Sequence, residues 1–202
     1  IEDVHAAYID SGSDIIYTNT FGANAKKLCK SQYTVEEVIT RAVQLAKSAA
    51  KRRNGVQVAL DIGPIGELLE PNGYLPFEEA YELYRQQVVA GEQAGADLVI
   101  FETMSDLYEV KAAILAAKEH TQLPVFVTMS FEADHRTFTG CTTASFALCA
   151  EGLGADAIGI NCSLGPDQIL PIAEELAAMT NLPLIIKANA GLPDPLTNTY
   201  SI

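Results

Sequence analysis

The chain has 202 residues, of which 49% are hydrophobic and 19% are charged, so it can bury one sizeable core and is near the lower limit for a large α/β barrel. We expect one domain spanning residues 1–202. Thirteen Lys and Arg against 26 Asp and Glu leave a formal net charge of −13, which repels phosphate backbones and argues against nucleic acid as a partner.

Neither a membrane partner nor a secretory route is expected from the sequence. No run approaches the roughly 18 apolar residues of a membrane span, and the first residues have neither the basic start nor the apolar stretch of a signal peptide. Four irregularly spaced cysteines are too few for a disulfide scaffold of this length. These features favour a reducing compartment, and we expect the cytoplasm.

Six short apolar runs bounded by turn residues predict six β-strands. Their apolarity is continuous rather than alternating, which suits parallel strands covered on both faces. The runs are Asp14–Tyr17, Val56–Leu60, Leu98–Phe101, Val125–Thr128, Ala157–Ile160 and Leu184–Ile186.

Helical patterns lie between these runs. From Phe77 to Val88 apolar side chains fall on one helical face and glutamates on the other, which predicts an amphipathic helix. The stretch Ile1–Ser11 looks like the end of a helix whose strand is absent. Further helices are predicted at Val35–Lys51, Leu107–Lys118 and Pro166–Ala178.

Strands that alternate with helices indicate right-handed crossovers and a parallel sheet, either open and doubly wound or closed into a barrel. Polar residues follow every predicted strand and would converge on one site only in a closed ring, whereas an open sheet has one crevice where its strand order reverses. No Gly-x-Gly-x-x-Gly or Gly-Lys-Ser/Thr loop supports a nucleotide-binding sheet. The predicted fold is therefore an α/β (β/α)8 TIM barrel.

The predicted barrel is incomplete, because about six of its eight strands are visible in the sequence. We expect the first strand to precede Ile1 and the last to follow Ile202, after a loop-like segment at 191–198. Such a fragment has two unpaired sheet edges, and unpaired edges invite association. The sequence therefore predicts that the chain dimerises or aggregates if no further residues are present, with a homodimer as the ordered form.

Individual polar residues at the strand ends have both structural and functional interpretations. Cys162 is either a small inert core residue or a reactive thiol, and the helix that starts at Pro166 directs a partial positive charge toward it. Glu102 follows a buried run and either pairs with a cation such as Lys187 or binds a ligand. Asn189 is either a turn residue or part of a site. Capping or catalysis stays open for Asn19, Thr20, Asp61 and Ser130.

Five segments carry a family resemblance. They are DIIYTNTFGAN (14–24), LDIGPIGELLEP (60–71), DLVIFETMSDLYEVKAA (97–113), GINCSLGP (159–166) and KANAGLPD (187–194). In order and spacing they resemble the homocysteine-binding barrel of the homocysteine S-methyltransferases, and within that family the N-terminal module of cobalamin-dependent methionine synthases. The resemblance covers the chain from about Val4 to Thr199.

The resemblance implies a zinc ion held by three cysteine thiolates. One comes from an asparagine-cysteine-serine motif, which stands here as residues 161–163 with Cys162 as the ligand. The other two come from an adjacent cysteine pair, and the 202 residues contain no such pair. We therefore expect Zn2+ in the intact protein, with two of its three ligands outside this sequence.

The resemblance also implies how homocysteine is held. Glu102, in the family's Glu-Thr-Met motif, corresponds to the residue that binds the substrate's ammonium group. Asn189 corresponds to an asparagine beside the metal, although Ala188 stands where the family usually has proline. We expect Asn19 and Ser163 to join them in binding the substrate.

The implied activity is methyl transfer to a zinc-activated homocysteine thiolate, which gives methionine. The expected donor is methylcobalamin on another domain, in a system fed by 5-methyltetrahydrofolate; betaine or S-methylmethionine are alternatives. A different parallel barrel, such as an aldolase using Lys187 as a Schiff-base amine of lowered pKa or a phosphate-binding isomerase, is a second enzyme hypothesis. A fragment without activity is a third interpretation, and we expect the isolated fragment to be inactive.

Overall fold

The structure is a computed structural model that describes residues 1–191 together with 196, 197 and 199. Most of the predicted loop at 191–198 lies outside the described residues, as does the C-terminal part of the segment that begins at Lys187 and carries the family resemblance.

Six parallel strands lie side by side in the order in which they occur in the sequence. They are β1 (Ile15–Tyr17), β2 (Gln57–Ile62), β3 (Leu98–Met104), β4 (Val125–Met129), β5 (Ala157–Asn161) and β6 (Leu184–Lys187). The strand order never reverses, so the sheet has no switch point of the doubly wound kind. The sheet curls into a half-barrel, which confirms the predicted incomplete TIM barrel.

Six helices cover the outside of the sheet. They are α1 (Glu2–Asp10), α2 (Val35–Ala50), α3 (Phe77–Ala94), α4 (Leu107–His120), α5 (Thr143–Gly152) and α6 (Pro166–Met179). Local chemistry fixes several of their ends. Thr34 and Glu37 form a capping box at the start of α2, Gly95 ends α3 in a left-handed conformation, and Pro166 occupies the first turn of α6.

Side chains along each strand alternate between two environments. Those that face outward, such as Leu60 and Phe101, join the large core beneath the helices. Those that face inward, such as Ala59 and Ile100, form a smaller apolar cluster inside the half-barrel. Toward the carboxyl ends of the strands the inward row becomes polar, which places one ring of polar side chains at the mouth. The row ends in Tyr17, Asp61, Glu102, Thr128, Asn161 and Lys187.

A cavity of about 810 Å³ opens between the two edge strands, β1 and β6. Helix α1 forms one wall, and inward side chains such as Phe126 and Ile185 form the floor. Within the described residues β1 pairs only with β2, and β6 only with β5. In the same part of the chain, no helix combines the length and the apolar character needed to cross a bilayer.

The packing of β5 against β6 depends on a glycine. A β-carbon at Gly159 would lie 1.9 Å from the backbone oxygen of Ile185, whereas one at Gly152, at the end of α5, would meet nothing within 4 Å outside its own helix. We expect Gly159→Ala to lower the free energy of unfolding by about 1–3 kcal/mol through overpacking. Gly152→Ala should raise it by about 0.5–1 kcal/mol. Urea unfolding of both variants checks the pair, and equal shifts would contradict the close strand approach.

Candidate active site

The turn after β5 carries Cys162 in a strained backbone. The chain has only four residues between the end of β5 and Pro166 of α6, and Cys162 and Ser163 adopt φ angles of 60° and 58°. Positive φ is uncommon for residues other than glycine and is often found at functional sites. The backbone N–H of Cys162 donates to the backbone oxygen of Lys187 at 3.2 Å, and the backbone N–H of Asn189 donates to the backbone oxygen of Leu164 at 2.9 Å. The turn is therefore held against the segment that follows β6.

Asn161 links this turn to β3. Its side-chain amide donates to the Thr103 hydroxyl at 2.6 Å, and its side-chain oxygen accepts from the Thr103 backbone N–H at 3.2 Å. Thr103 itself has a φ of 59° and lies where the pairing of β3 with β4 is irregular. The Cys162 sulfur lies 3.3 Å from the Asn161 amide nitrogen and 3.8 Å from the Thr103 hydroxyl. Two strands thus position the half-buried thiol.

Glu102 forms an ion pair with Lys187 inside the half-barrel. The Glu102 side chain is 14% exposed and that of Lys187 is 45% exposed. The Lys187 ammonium also lies 4.4 Å from the centroid of the Tyr17 ring, a cation–π distance. The structure therefore contains the ion pair that was one of the two interpretations of Glu102.

The environment of Lys187 is wrong for the Schiff-base hypothesis. Partial burial lowers the pKa of the Lys187 ammonium, but the Glu102 hydrogen bond and the electrostatic influence of Tyr17, Glu102 and Asp61 outweigh it and raise the pKa above its ordinary value. A Schiff-base lysine needs the opposite shift so that a neutral amine is available. The structure thus removes the feature on which the aldolase alternative depended.

Asp61 is a buried acid without a complete set of partners. Its backbone is fixed by Thr18 and Thr20: the Asp61 N–H donates to the Thr18 hydroxyl at 3.0 Å, and the Thr20 hydroxyl donates to the Asp61 backbone oxygen at 2.6 Å. Asp61 is 7% exposed, and within the part of the chain that the structure describes its Oδ1 atom has no hydrogen-bond partner. Burial and the nearby Glu102 charge raise the pKa of Asp61 to about 7, against the opposing effect of Lys187.

The other expected substrate-binding residues lie around this mouth at different depths. Asn19 is exposed after β1 and lines the cavity that Lys187 also lines. Ser163 is exposed, and its hydroxyl lies 2.5 Å from that of Ser130. Asn189 is half-buried and reaches the Cys162 turn through its backbone. Asn19 thus lies beside the β1 edge, away from the contacts that surround Cys162.

The described residues provide no further metal ligands next to Cys162. No three His, Cys, Asp or Glu side chains of residues 1–191, 196, 197 and 199 are grouped so that they could hold an ion. Cys29, Cys141 and Cys149 lie elsewhere, and all four cysteines are free. A zinc site of the expected three-thiolate kind is therefore not formed by these residues alone.

Sequence reasoning left the role of Asp61 open and did not bring Tyr17 into the site. Both side chains face the inside of the half-barrel, because side chains alternate along a strand and these two lie in register with the other inward-facing residues. Counting every second residue along each predicted strand would have identified them from the sequence. The pairing of Glu102 with Lys187 across 85 positions of sequence required the curled sheet.

Comparison with known proteins agrees with this architecture. The family model described as Homocysteine S-methyltransferase matches residues 1–202. The chain belongs to the homocysteine S-methyltransferase family. The resemblance found in the sequence is thus confirmed.

Relatives extend the comparison to sequence and to fold. The chain is 30% identical to a methionine synthase from Mycobacterium leprae and 28% identical to one from Mycobacterium tuberculosis, each time over 96% of this chain and 17% of the relative. It therefore spans about a sixth of the length of these curated relatives. The metallated form of the homocysteine methyltransferase MmuM from Escherichia coli shares the fold, with a TM-score of 0.85 at 21% identity over 94% of this chain and 72% of that one.

The buried acid makes a testable contribution to stability. Since the pKa of Asp61 is about 7 in the folded chain and has an ordinary value of 3.8, the folded state retains a proton that the unfolded state releases between pH 4 and 7. Its contribution to stability therefore decreases as pH rises through this window and is constant above it. We expect Asp61→Asn to remove this decrease, so that at pH 8 the variant is more stable than the parent by roughly 3–4 kcal/mol. Urea unfolding at pH 5 and pH 8 measures this, and identical pH slopes for parent and variant would contradict it.

Proposed function

We propose that this chain binds homocysteine at the mouth of the half-barrel and is the homocysteine-binding domain, residues 1–202, of a methyltransferase that produces methionine. One observation supports this most directly. In a chain that belongs to the homocysteine S-methyltransferase family, the carboxyl ends of β3, β5 and β6 bring Glu102, Cys162 and Asn189 to one mouth.

The chemistry of these groups fits an amino acid with a thiol side chain. The Glu102 carboxylate is mostly shielded from solvent, and a carboxylate in such a place forms a strong charge-assisted hydrogen bond to an ammonium group. The Asn189 amide and the Ser163 hydroxyl supply neutral polar groups for the rest of the substrate. Asn19 supplies another at the β1 side of the mouth. Cys162 would lie at the thiol end.

Zinc would supply ionisation of the substrate thiol, since a free thiol has a pKa near about 8.5 and is mostly protonated at neutral pH. The described residues do not complete a zinc site, because Cys162 alone contributes a thiolate. We infer that Cys162 is the one ligand in this sequence and that the remaining ligands come from residues outside it. The chain's own contribution is then to position the substrate beside Cys162.

For the methyl donor we propose methylcobalamin supplied by another domain, with 5-methyltetrahydrofolate as its source. The relatives named methionine synthase support this choice, and the chain spans only 17% of their length. Betaine and S-methylmethionine remain the alternative donors, because the residues assigned here would bind homocysteine and do not distinguish between methyl donors. Measuring methionine formation by the full-length protein with each donor in turn distinguishes them. Inactivity of the isolated chain, cytoplasmic location and dimerisation remain predictions.

The metal content of the chain tests the assignment of Cys162. We expect residues 1–202 alone to retain far less than one zinc per chain after dialysis, because one thiolate and neutral oxygens make a weak site. Any zinc that is retained should be lost in Cys162→Ser and kept in Cys149→Ser, a control in α5. Metal analysis of the three dialysed proteins measures this. Stoichiometric zinc in a monomer of the Cys162→Ser chain would refute the ligand assignment.

Homocysteine binding tests Glu102. Glu102→Gln should weaken binding of homocysteine by roughly ten- to a hundredfold, since a hydrogen bond to a charged group contributes about 1.5–3 kcal/mol. Glu78→Gln, on the exposed side of α3, is the matched control and should bind as the parent does. Titration calorimetry under reducing conditions gives the dissociation constants. An unchanged constant for Glu102→Gln would leave the Lys187 ion pair as the role of this carboxylate.

A further inference from the structure

Three inward-facing side chains on neighbouring strands form a cage for a cation. Tyr17 ends β1, and Asp61 and Glu102 lie near the ends of β2 and β3. Together they offer an aromatic face and two carboxylates, the groups that recognise an ammonium ion. The electrostatic influence of Glu102 reaches both Asp61 and Tyr17, so the three groups share one environment.

The cage already contains an ammonium group, which belongs to Lys187. This side chain comes from β6, at the opposite edge of the sheet, and reaches across the open side of the half-barrel to Glu102 and to the Tyr17 ring. It therefore occupies the position that an amine ligand would take beside Glu102. Since 45% of the Lys187 side chain is exposed, it can leave the cage and become hydrated in the open mouth.

Lys187 does not fill the cage completely. It forms its ion pair with Glu102, while Asp61 Oδ1 has no hydrogen-bond partner among the described residues although Asp61 is only 7% exposed. Leaving a buried polar atom without a hydrogen-bond partner is unfavourable, and nearly all buried polar atoms in folded proteins have one. Burial and the nearby Glu102 charge raise the pKa of Asp61, and the Lys187 charge offsets this rise only in part. The cage thus has an acceptor that a second donor could use.

We propose that Tyr17, Asp61 and Glu102 form the ammonium pocket of the homocysteine site and that Lys187 is its internal occupant, which the substrate's ammonium group must replace. This inference rests on the proposed function. No bond is made or broken in the exchange: one ammonium leaves Glu102 as another arrives. Lys187 is anchored in β6, whereas a substrate ammonium is not. The substrate ammonium can therefore also donate a hydrogen bond to Asp61.

The exchange also predicts selectivity for thiols that carry an ammonium group. A ligand without an ammonium group cannot replace Lys187 at Glu102 without leaving two neighbouring carboxylates uncompensated, which is unfavourable in a shielded site. Lys187 therefore keeps the pocket closed to thiols that are not amines. It is a specificity-determining residue.

Binding of two fragments of homocysteine tests the exchange. The ligand 3-mercaptopropylamine lacks the carboxylate, and 4-mercaptobutanoate lacks the ammonium. Without its internal competitor, Lys187→Met should bind 3-mercaptopropylamine about tenfold more tightly than the parent chain, which corresponds to about 1.4 kcal/mol. Lys187→Arg keeps a cation in the cage and should show no such gain. Lys118→Met is a control: it removes a lysine of α4 that pairs with Asp156 outside the site, and it should bind 3-mercaptopropylamine as the parent chain does.

A second variant tests the cage with Lys187 in place. Asp61→Asn should weaken the binding of 3-mercaptopropylamine and of homocysteine by about tenfold, through loss of a charged acceptor. It should not weaken the binding of 4-mercaptobutanoate, which has no ammonium group to lose an acceptor. Circular dichroism confirms that each variant is folded, and if Lys187→Met does not fold, Asp61→Asn decides the question.

The outcomes separate this inference from the proposed function. Equal or weaker binding of 3-mercaptopropylamine by folded Lys187→Met, or unchanged amine binding by Asp61→Asn, overturns the exchange. If the parent chain still binds homocysteine and Glu102→Gln weakens that binding, the proposed function survives this failure. If neither the parent nor any variant binds homocysteine, the proposed function fails; a gain for 3-mercaptopropylamine in Lys187→Met would then still support the cage.

Discussion

The alternation of side chains along six parallel strands is the constraint on which the rest of this structure depends. Because the strands pair in sequence order and in register, every second residue faces the inside of the half-barrel and the others face the helices. The inward row is apolar at the bottom and polar at the carboxyl ends. The fold therefore collects polar groups at one mouth and leaves the larger core beneath the helices mainly apolar.

Charge at this mouth is only partly balanced by the described residues. The carboxylate of Glu102 is shielded from solvent and needs a cation, which Lys187 supplies from the opposite edge of the sheet. Asp61 is more deeply buried and has no ion-pair partner among the described residues, and burial together with the Glu102 charge raises its pKa. Two acids at neighbouring positions thus have different environments, one compensated and one not. In the proposed exchange, this difference is what lets the pocket take the substrate's ammonium group.

Backbone strain is concentrated at the same mouth. Thr103, Cys162 and Ser163 all have φ angles near 60°, and hydrogen bonds through Asn161 hold the first two in place. Such conformations persist only where surrounding contacts determine them. The contacts of Gly159 with the Ile185 backbone bring β6 close enough for Lys187 and Asn189 to reach the Cys162 turn. Packing at the bottom of the sheet and geometry at the mouth are therefore connected.

The sequence by itself determined the six strands, the helices other than α5, the fold class and the family, because these depend on local periodicity and on ordered motifs. The apolar run before Glu102 predicted a buried strand with a polar end, and the asparagine-cysteine-serine motif placed Cys162 after β5; both positions are confirmed. The tertiary structure decided which side chains meet. Whether Glu102 is paired, whether the pKa of Lys187 rises or falls, and whether Asp61 has a partner depend on contacts between strands far apart in the sequence and on burial. The local sequence pattern does not determine these contacts or the burial of the charged groups. It determines which face of a strand a residue occupies, but not which charged group lies opposite that residue.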